Sequence, residues 1–314
     1  QRQMCIRDSM YEDLCRELDV PFKRTGQYAC FTHKSWLPFV SLYAKWRRDH
    51  DGIEDTCIVM GDEIRKKEPK ISADVAFALS NPSSGSVSPY NLVIAYAENA
   101  VQNGARVSLN TAVTGMDVSD GEIKAVYTNR GTIYPREVIN CAGVYSDVVA
   151  QMAQDRFFSI HPRRGTNSIL DKKTGASFHG IASIVMSQSP VQTHTKGGGI
   201  LHTVHDNLLI GPDAVETPER ENTATDAESI ARVFTKQRIT MPTLTEKDII
   251  TYFTGVRAPT YEEDFIIEPG RKTKNIYHVA GIQSPGLTTA PAVAQDVAEY
   301  VAKLFNAEKK SDFD

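Results

Sequence analysis

The stretch Asn275-Ile-Tyr-His-Val-Ala-Gly281-Ile-Gln-Ser-Pro-Gly286-Leu-Thr-Thr-Ala-Pro291 decides the fold of this 314-residue chain. A short apolar strand enters a turn bounded by Gly281 and Gly286, and the turn opens a long helix. That helix keeps Val293, Val297, Val301 and Leu304 on one face. The first amides of a helix lack intrahelical acceptors and carry the positive end of the peptide dipole. Such a turn therefore suits a ligand that is, or becomes, anionic. A second unit of this kind, Val138-Ile-Asn-Cys-Ala-Gly143-Val-Tyr-Ser-Asp147, stands mid-chain. Together the two units point to a large cofactor. The opening residues carry no glycine loop of the sort that cradles phosphate.

Around these units the pattern alternates. Ser88 can cap, and Pro89 can open, a helix that ends at Gly104, with Leu92, Ala95, Tyr96 and Ala100 on its apolar face. Residues 106–109 read as a buried strand fed by that helix, part of a parallel layer. Segments 113–118, 123–128 and 132–134, joined by Asp120-Gly121 and Asn129-Arg-Gly131, predict a three-stranded antiparallel meander. Upstream, 27–32 and 75–79 read as strands, and 10–18 and 36–46 as helices. Between 158 and 267 the runs 166–170, 181–186, 199–204, 208–210, 249–256 and 265–267 predict a mostly antiparallel sheet, interrupted by a helix near 226–237.

Composition narrows the class. With 41% hydrophobic residues the chain can bury a full core and divide into two domains. A net charge of −4 gives no reason to expect nucleic acid as a partner. No apolar run approaches the roughly 20 residues of a membrane helix, and residues 1–9 lack the apolar core of a secretory signal. Five cysteines, with no Cys-x-x-Cys pair, read as reduced cytoplasmic thiols rather than a disulfide frame or a metal site.

Four segments in this order resemble the D-amino-acid oxidase superfamily of FAD-dependent oxidoreductases. They are the 104–113 segment, the 138–147 unit, Gly255-Val-Arg-Ala-Pro259, and Gly281-Ile-Gln-Ser-Pro-Gly-Leu-Thr288. His161-Pro-Arg-Arg-Gly165 and Asn207-Leu-Leu-Ile-Gly-Pro212 match the same superfamily. The likeness spans about 11–305 and is strongest to its glycerol-3-phosphate dehydrogenase and L-2-hydroxyglutarate oxidase branch.

The resemblance implies a mixed α/β (α+β) fold, with a partial Rossmann-like FAD domain and a mostly antiparallel substrate domain. It assigns 80–157 and 268–306 to the FAD domain, which would lack its N-terminal Gly-x-Gly-x-x-Gly unit. It assigns 10–79 and 158–267 to the substrate domain, leaving an unmatched leader at 1–9 and a polar tail at 307–314. The chain is thus expected to be an N-terminally truncated member.

For the site, the resemblance implies that Ala112 and Val113 contact the adenine side of FAD, and that Cys141, Ala142 and Gly143 line its ribose and pyrophosphate. Gly281, Ile282, Gln283, Ser284, Pro285, Gly286, Leu287 and Thr288 would cradle the flavin ring edge. Arg257 would bind the substrate's carboxylate or phosphate, a task suited to a planar five-donor fork. His205, in a turn between strands, is a candidate proton acceptor, against the plainer reading of a turn histidine bonding its neighbours.

The expected reaction is oxidation of glycerol 3-phosphate or a small 2-hydroxy acid, with hydride passing to flavin N5. An amino-acid or amine oxidase of the same superfamily is the alternative, and a non-catalytic fragment or subunit is the other. A small anionic substrate is expected; the electron acceptor stays open, as does the choice between a homo-oligomer and a partner subunit.

Overall fold

A computed structural model describes residues 2–51, 55–174, 180–183, 198–308 and 310. The chain begins with α1 (Arg2–Glu17), β1 (Phe22–Arg24), β2 (Gln27–Phe31), α2 (Leu37–Asp51), β3 (Cys57–Met60) and α3 (Gly61–Lys67). It continues through β4 (Phe77–Asn81), β5 (Gly85–Val87), α4 (Pro89–Gln102), β6 (Val113–Ser119), β7 (Glu122–Thr128) and β8 (Gly131–Ile133). Next come β9 (Val138–Asn140), α5 (Ser146–Met152), β10 (Arg163–Leu170), β11 (Gly180–Ser183), β12 (Gly199–His202), β13 (Leu208–Gly211) and β14 (Val215–Glu216). The chain closes with α6 (Ala227–Arg238), β15 (Ile249–Arg257), β16 (Ile266–Pro269), β17 (Ile276–Ala280) and α7 (Gly286–Phe305).

Local chemistry accounts for the boundaries. Ser88 accepts the Asn91 amide at 3.4 Å ahead of α4, and Asp226 accepts the Ser229 amide at 2.7 Å ahead of α6. Asp120 and Gly121, both at positive φ, close the β6–β7 hairpin in the sense that matches strand twist. Pro291 removes one amide inside α7, which leaves the Leu287 carbonyl without its helical donor. The Tyr11 hydroxyl of α1 donates to that carbonyl instead, tying the first helix to the last.

A nine-stranded sheet runs β14-β10-β13-β12-β11-β2-β4-β3, with β15 on the other side of β10. Its pairing is antiparallel apart from the parallel β11–β2 pair. One face is covered by α3 and α6, whose Ile64, Val233 and Phe234 join Leu170, Ile200, Leu208 and Ile210 in the largest core. At its β2–β4–β3 end the other face is covered by α2 through Val40, which packs with Phe31 and Phe77. Around β10, β12 and β15 that second face stays open, with Leu201 and Phe253 40% and 43% exposed.

Three smaller sheets accompany it among the described residues: the antiparallel β1-β5 pair, the β6-β7-β8 meander, as expected, and β16-β17-β9, in which β9 and β17 are parallel.

Three expectations change. Residues 106–109 form no strand, and Val107 and Leu109 are 52% and 73% exposed; an apolar run becomes a strand only beside a neighbour, and none of the described residues supplies one. The strand near 265–267 joins β17 rather than the nine-stranded sheet, its antiparallel register running from Ile266↔Ala280 to Pro269↔Tyr277. Part of the expected 181–186 strand lies outside the described residues. No described helix is long and apolar enough to cross a membrane.

Candidate functional site

The β9–β17 pairing brings the two glycine turns together. Their register, Val138↔Ile276 to Asn140↔His278, ends both strands at the same edge, so turns 141–143 and 281–285 emerge side by side. Cys141 of the first, and Ile282 and Gly286 of the second, line one cavity of about 690 Å³. Ile139, Val279 and the Ala290, Ala294, Ala298 and Ala302 row of α7 form its apolar walls. Among the described residues β9 has no partner on its other edge.

The terminal turn is confined. Gly281 sits at φ +69°, and a Cβ there would stand 2.6 Å from the Asp264 carbonyl oxygen. At the start of α7, the Gly286 amide donates to the Gln283 carbonyl at 2.5 Å and the Thr289 amide to the Pro285 carbonyl at 3.1 Å. The Leu287 and Thr288 amides donate to no described backbone carbonyl, and no side chain caps the helix. These open donors are the positive end of a 20-residue helix.

A buried polar chain sets the first turn. Asn140 donates from Nδ2 to the Ser146 carbonyl at 2.8 Å, and its Oδ1 accepts the Ala142 amide at 3.3 Å. The same Nδ2 reaches His278 Nδ1 at 3.1 Å, so that nitrogen accepts and Nε2 carries the proton donated to Asp155 at 3.0 Å. Asp155 also accepts the Arg271 and Lys272 amides, at 2.9 and 2.5 Å. Gly143, by contrast, faces open space.

The second cluster lies on β10 and β15. Their register pairs Arg163 with Arg257 and Gly165 with Gly255, which puts these four residues on the open face. The Arg257 guanidinium rests over Gly165, where a Cβ would come within 3.1 Å of Nη2. Nη2 donates to the Arg164 and Asp213 carbonyls at 3.1 and 2.8 Å. Nε is buried with no partner, and no described carboxylate forms an ion pair with Arg257. Burial, reinforced by the charge of Arg163, holds its pKa below the usual arginine value. Nothing stands within 4 Å of a Cβ built on Gly255, so there is room beside this half-buried cation.

Arg163 is its opposite. Only 1% exposed, it donates from Nε to Glu216 at 2.5 Å and from Nη2 and Nη1 to Glu263 at 2.5 and 3.2 Å. Desolvation opposes ionisation of Glu216, yet hydrogen bonds from Arg163 and His161 hold its carboxyl below the ordinary range. The hydrogen bond from Arg163 leads the causes that bring Glu263 down to about 2. His161 places Nδ1 3.0 Å from Glu216 and Nε2 2.9 Å from the Thr260 carbonyl. Finally, Gln283 of the terminal turn donates Nε2 to Glu263 Oε2 at 2.7 Å, linking the two clusters.

The expected residues therefore divide. Turns 141–143 and 281–285 lie side by side, but of the expected residues only Cys141, Ile282 and Gly286 line the cavity; Arg257 is joined to the second turn through Arg163, Glu263 and Gln283. Ala112 and Val113 are exposed at the entry to the meander, where the Ala112 amide donates to Asn129 Oδ1 at 2.9 Å; they do not line the cavity. His205 is not brought to Arg257. It is exposed in the β12–β13 turn, beside the Leu170 end of β10, while Arg257 pairs with Arg163 at the other end. Seven residues of strand separate those ends, roughly 23 Å. Its amide bonds Thr203 Oγ1 at 3.3 Å, the behaviour of a turn histidine.

Glu263 and Arg163 were given no role in the sequence, and Gln283 was expected only as one of the residues along the ring-edge turn. The available signal was the adjacent pair Arg163-Arg164 in a strand, since alternation must turn one of the two inward.

The residues present fit one end of FAD. The open amides and positive pole of α7 suit the electron-rich edge of a flavin ring, and the apolar walls suit its flat faces. The cavity walls carry no charged side chain to meet a pyrophosphate.

Comparison with known proteins agrees with this reading. Residues 3–300 match the family described as DAO, FAD dependent oxidoreductase. A glycerol 3-phosphate dehydrogenase of Caloramator mitchellensis is 35% identical over 308 residues, covering 97% of this chain and 62% of the relative. The chain thus spans less than two thirds of that protein's length. An L-2-hydroxyglutarate dehydrogenase of Indibacter alkaliphilus is 26% identical, over 93% of this chain and 81% of the relative. Among solved structures, the dithionite-reduced L-α-glycerophosphate oxidase of Mycoplasma pneumoniae, with FAD bound, superposes with a TM-score of 0.84. It is 22% identical and covers 98% of this chain and 80% of that one, which shows a shared fold.

Proposed function

Because the chain belongs to the DAO family of FAD dependent oxidoreductases, we propose that it carries the anion-binding face and the ring-facing wall of an enzyme that oxidises glycerol 3-phosphate or a small 2-hydroxy acid. The observation that carries this reading is Arg257, a desolvated guanidinium with no counterion among the described residues and open space beside it. Such a cation is incomplete without an anionic ligand, since its desolvation is offset only when a charge partner arrives.

FAD, when bound, supplies the hydride acceptor. Residues 281–288 would hold its ring edge through the open α7 amides, with Cys141, Ala142 and Gly143 alongside. Arg257 would clamp the substrate's phosphate or carboxylate, fixing the distance of the reacting carbon from the ring. Apolar Ile169 and Leu209, neighbours across β10 and β13, would form the dry floor beyond Gly165. In this reading the nine-stranded sheet is the substrate domain, and the β16-β17-β9 sheet with the meander is the FAD domain. The enzyme works in the cytoplasm and passes its electrons to a separate acceptor.

Two measurements test this. Titration with FAD should quench flavin fluorescence and give a bound-flavin spectrum. Arg257→Ala should raise KM for glycerol 3-phosphate by about 10- to 100-fold, the loss of a charged hydrogen-bonded contact. An unchanged KM removes Arg257 from the site. Assaying glycine derivatives beside hydroxy acids separates this activity from amine oxidation, because the same guanidinium would accept an amino acid's carboxylate.

A further inference from the structure

We infer that Glu263 is a positioning residue for the cofactor-side turn: braced by Arg163, its carboxylate holds the Gln283 side chain and so fixes residues 281–286 against the substrate sheet. The inference rests on the reading that this turn meets the flavin.

Three features support it. The first is how the carboxylate is shared. Arg163 already has Glu216 at Nε, and Glu263 takes the two remaining nitrogens, Oε1 receiving Nη2 and Oε2 receiving Nη1. Oε2 keeps a second lone pair for Gln283 Nε2 at 2.7 Å, its shorter contact. The base of the relay is immobile, because Arg163 is 1% exposed on a central strand that is hydrogen-bonded on both sides. Gln283, 6% exposed, is buried in turn. A buried amide that loses its acceptor is costly, so Gln283 stays where Glu263 holds it.

The second is backbone geometry. Glu263 is at φ +58°, a left-handed conformation that costs a side-chain-bearing residue energy and persists only where its surroundings demand it. That backbone aims the carboxylate back between Arg163 and Gln283.

The third is contact on the other side of the turn. Gly281 packs against the Asp264 carbonyl and Thr260, both in the loop that carries Glu263, and Thr260 Oγ1 donates to the Asp264 carbonyl at 3.0 Å. One loop therefore grips the turn at Gly281 by contact and at Gln283 by hydrogen bond. Between those two points lie Ile282 and the approach to the open amides of α7.

Arg163 and Arg257 are cross-strand partners, so the relay also ties the turn to the strand pair that presents the anion clamp. The ring wall and the clamp share one rigid reference.

The test uses FAD as the probe, with fluorescence quenching and the visible absorption band as readouts independent of turnover. Glu263→Ala should weaken FAD binding about tenfold, equivalent to about 1.4 kcal/mol, and shift the bound-flavin band. Gln283→Leu leaves the Arg163–Glu263 pair intact and should reproduce both changes; it carries the test alone if Glu263→Ala does not fold. The double variant should be no worse than either single one, because both remove the same bond. The inference is overturned if the variants bind FAD as tightly as the parent, with an unshifted band, and lose only thermal stability. A parent protein that takes up no FAD sinks the flavin reading itself, a separate result.

Discussion

Arg257 owes its pose to a missing side chain. A Cβ at residue 165 would lie 3.1 and 3.3 Å from Nη2 and Nε, so Gly165 lets the guanidinium lie flat on the sheet. Gly165→Ala should tilt the guanidinium, raising KM several-fold and lowering kcat with it, because the proposed clamp also sets the distance of the reacting carbon from the ring. Steady-state kinetics read this directly, and a fall in kcat with constant KM would contradict it. Glu263 makes a second prediction. Its pKa falls from 4.5 to about 2 on folding, so its contribution is complete above pH 4.5 and is lost as pH drops toward 2. Thermal melts across that window should fall less steeply for Glu263→Gln than for the parent. At this scale the sequence was partly legible. Arg257 was reached through the family likeness of Gly255-Val-Arg-Ala-Pro259, whereas Glu263 and Gln283 stand in unrelated segments and meet only through the fold. For His205 the plainer of the two readings, a turn histidine bonding its neighbours, matches the structure; the sequence could not show which end of the sheet its turn caps.

The polar chain through Asn140 holds β9, α5 and β17 in one arrangement. Asn140→Leu would take this partner from the Ser146 carbonyl and His278 Nδ1, whose residues are fully buried, and from the half-buried Ala142 amide. Chemical denaturation should show a loss of about 3 kcal/mol, in the range expected for buried polar groups stripped of hydrogen bonds. A loss under about 0.5 kcal/mol would mean water replaces the amide. Elements with self-contained signals were read correctly: the Ser88-Pro89 start of α4, the Asp120-Gly121 hairpin, and β17 running into α7. Residues 106–109 were not, and β16, rightly read as a strand, was placed in the wrong sheet, for one reason. Their state depends on which strand lies beside them, and periodicity reports a face rather than a neighbour.

The whole molecule interleaves its layers. The chain lays down β9, departs to build β10 to β15, and returns with β16 and β17 to complete the sheet. A ligand held by both glycine turns therefore stabilises segments far apart in sequence. FAD at a hundred times its dissociation constant should add about 2.7 kcal/mol to unfolding, seen as a raised melting temperature. No shift on FAD addition would exclude binding. The pairing Val138↔Ile276 also imposes a schedule during synthesis. At about 5–20 residues per second, a ribosome needs on the order of 7–30 s to travel from β9 to β17. Throughout that interval β9 waits without its partner, and the cavity has neither its second turn nor its helical wall. The nascent chain lays down Arg257 before it owns the second glycine turn, so a ligand that needs both turns can be held only once β17 and α7 have been made.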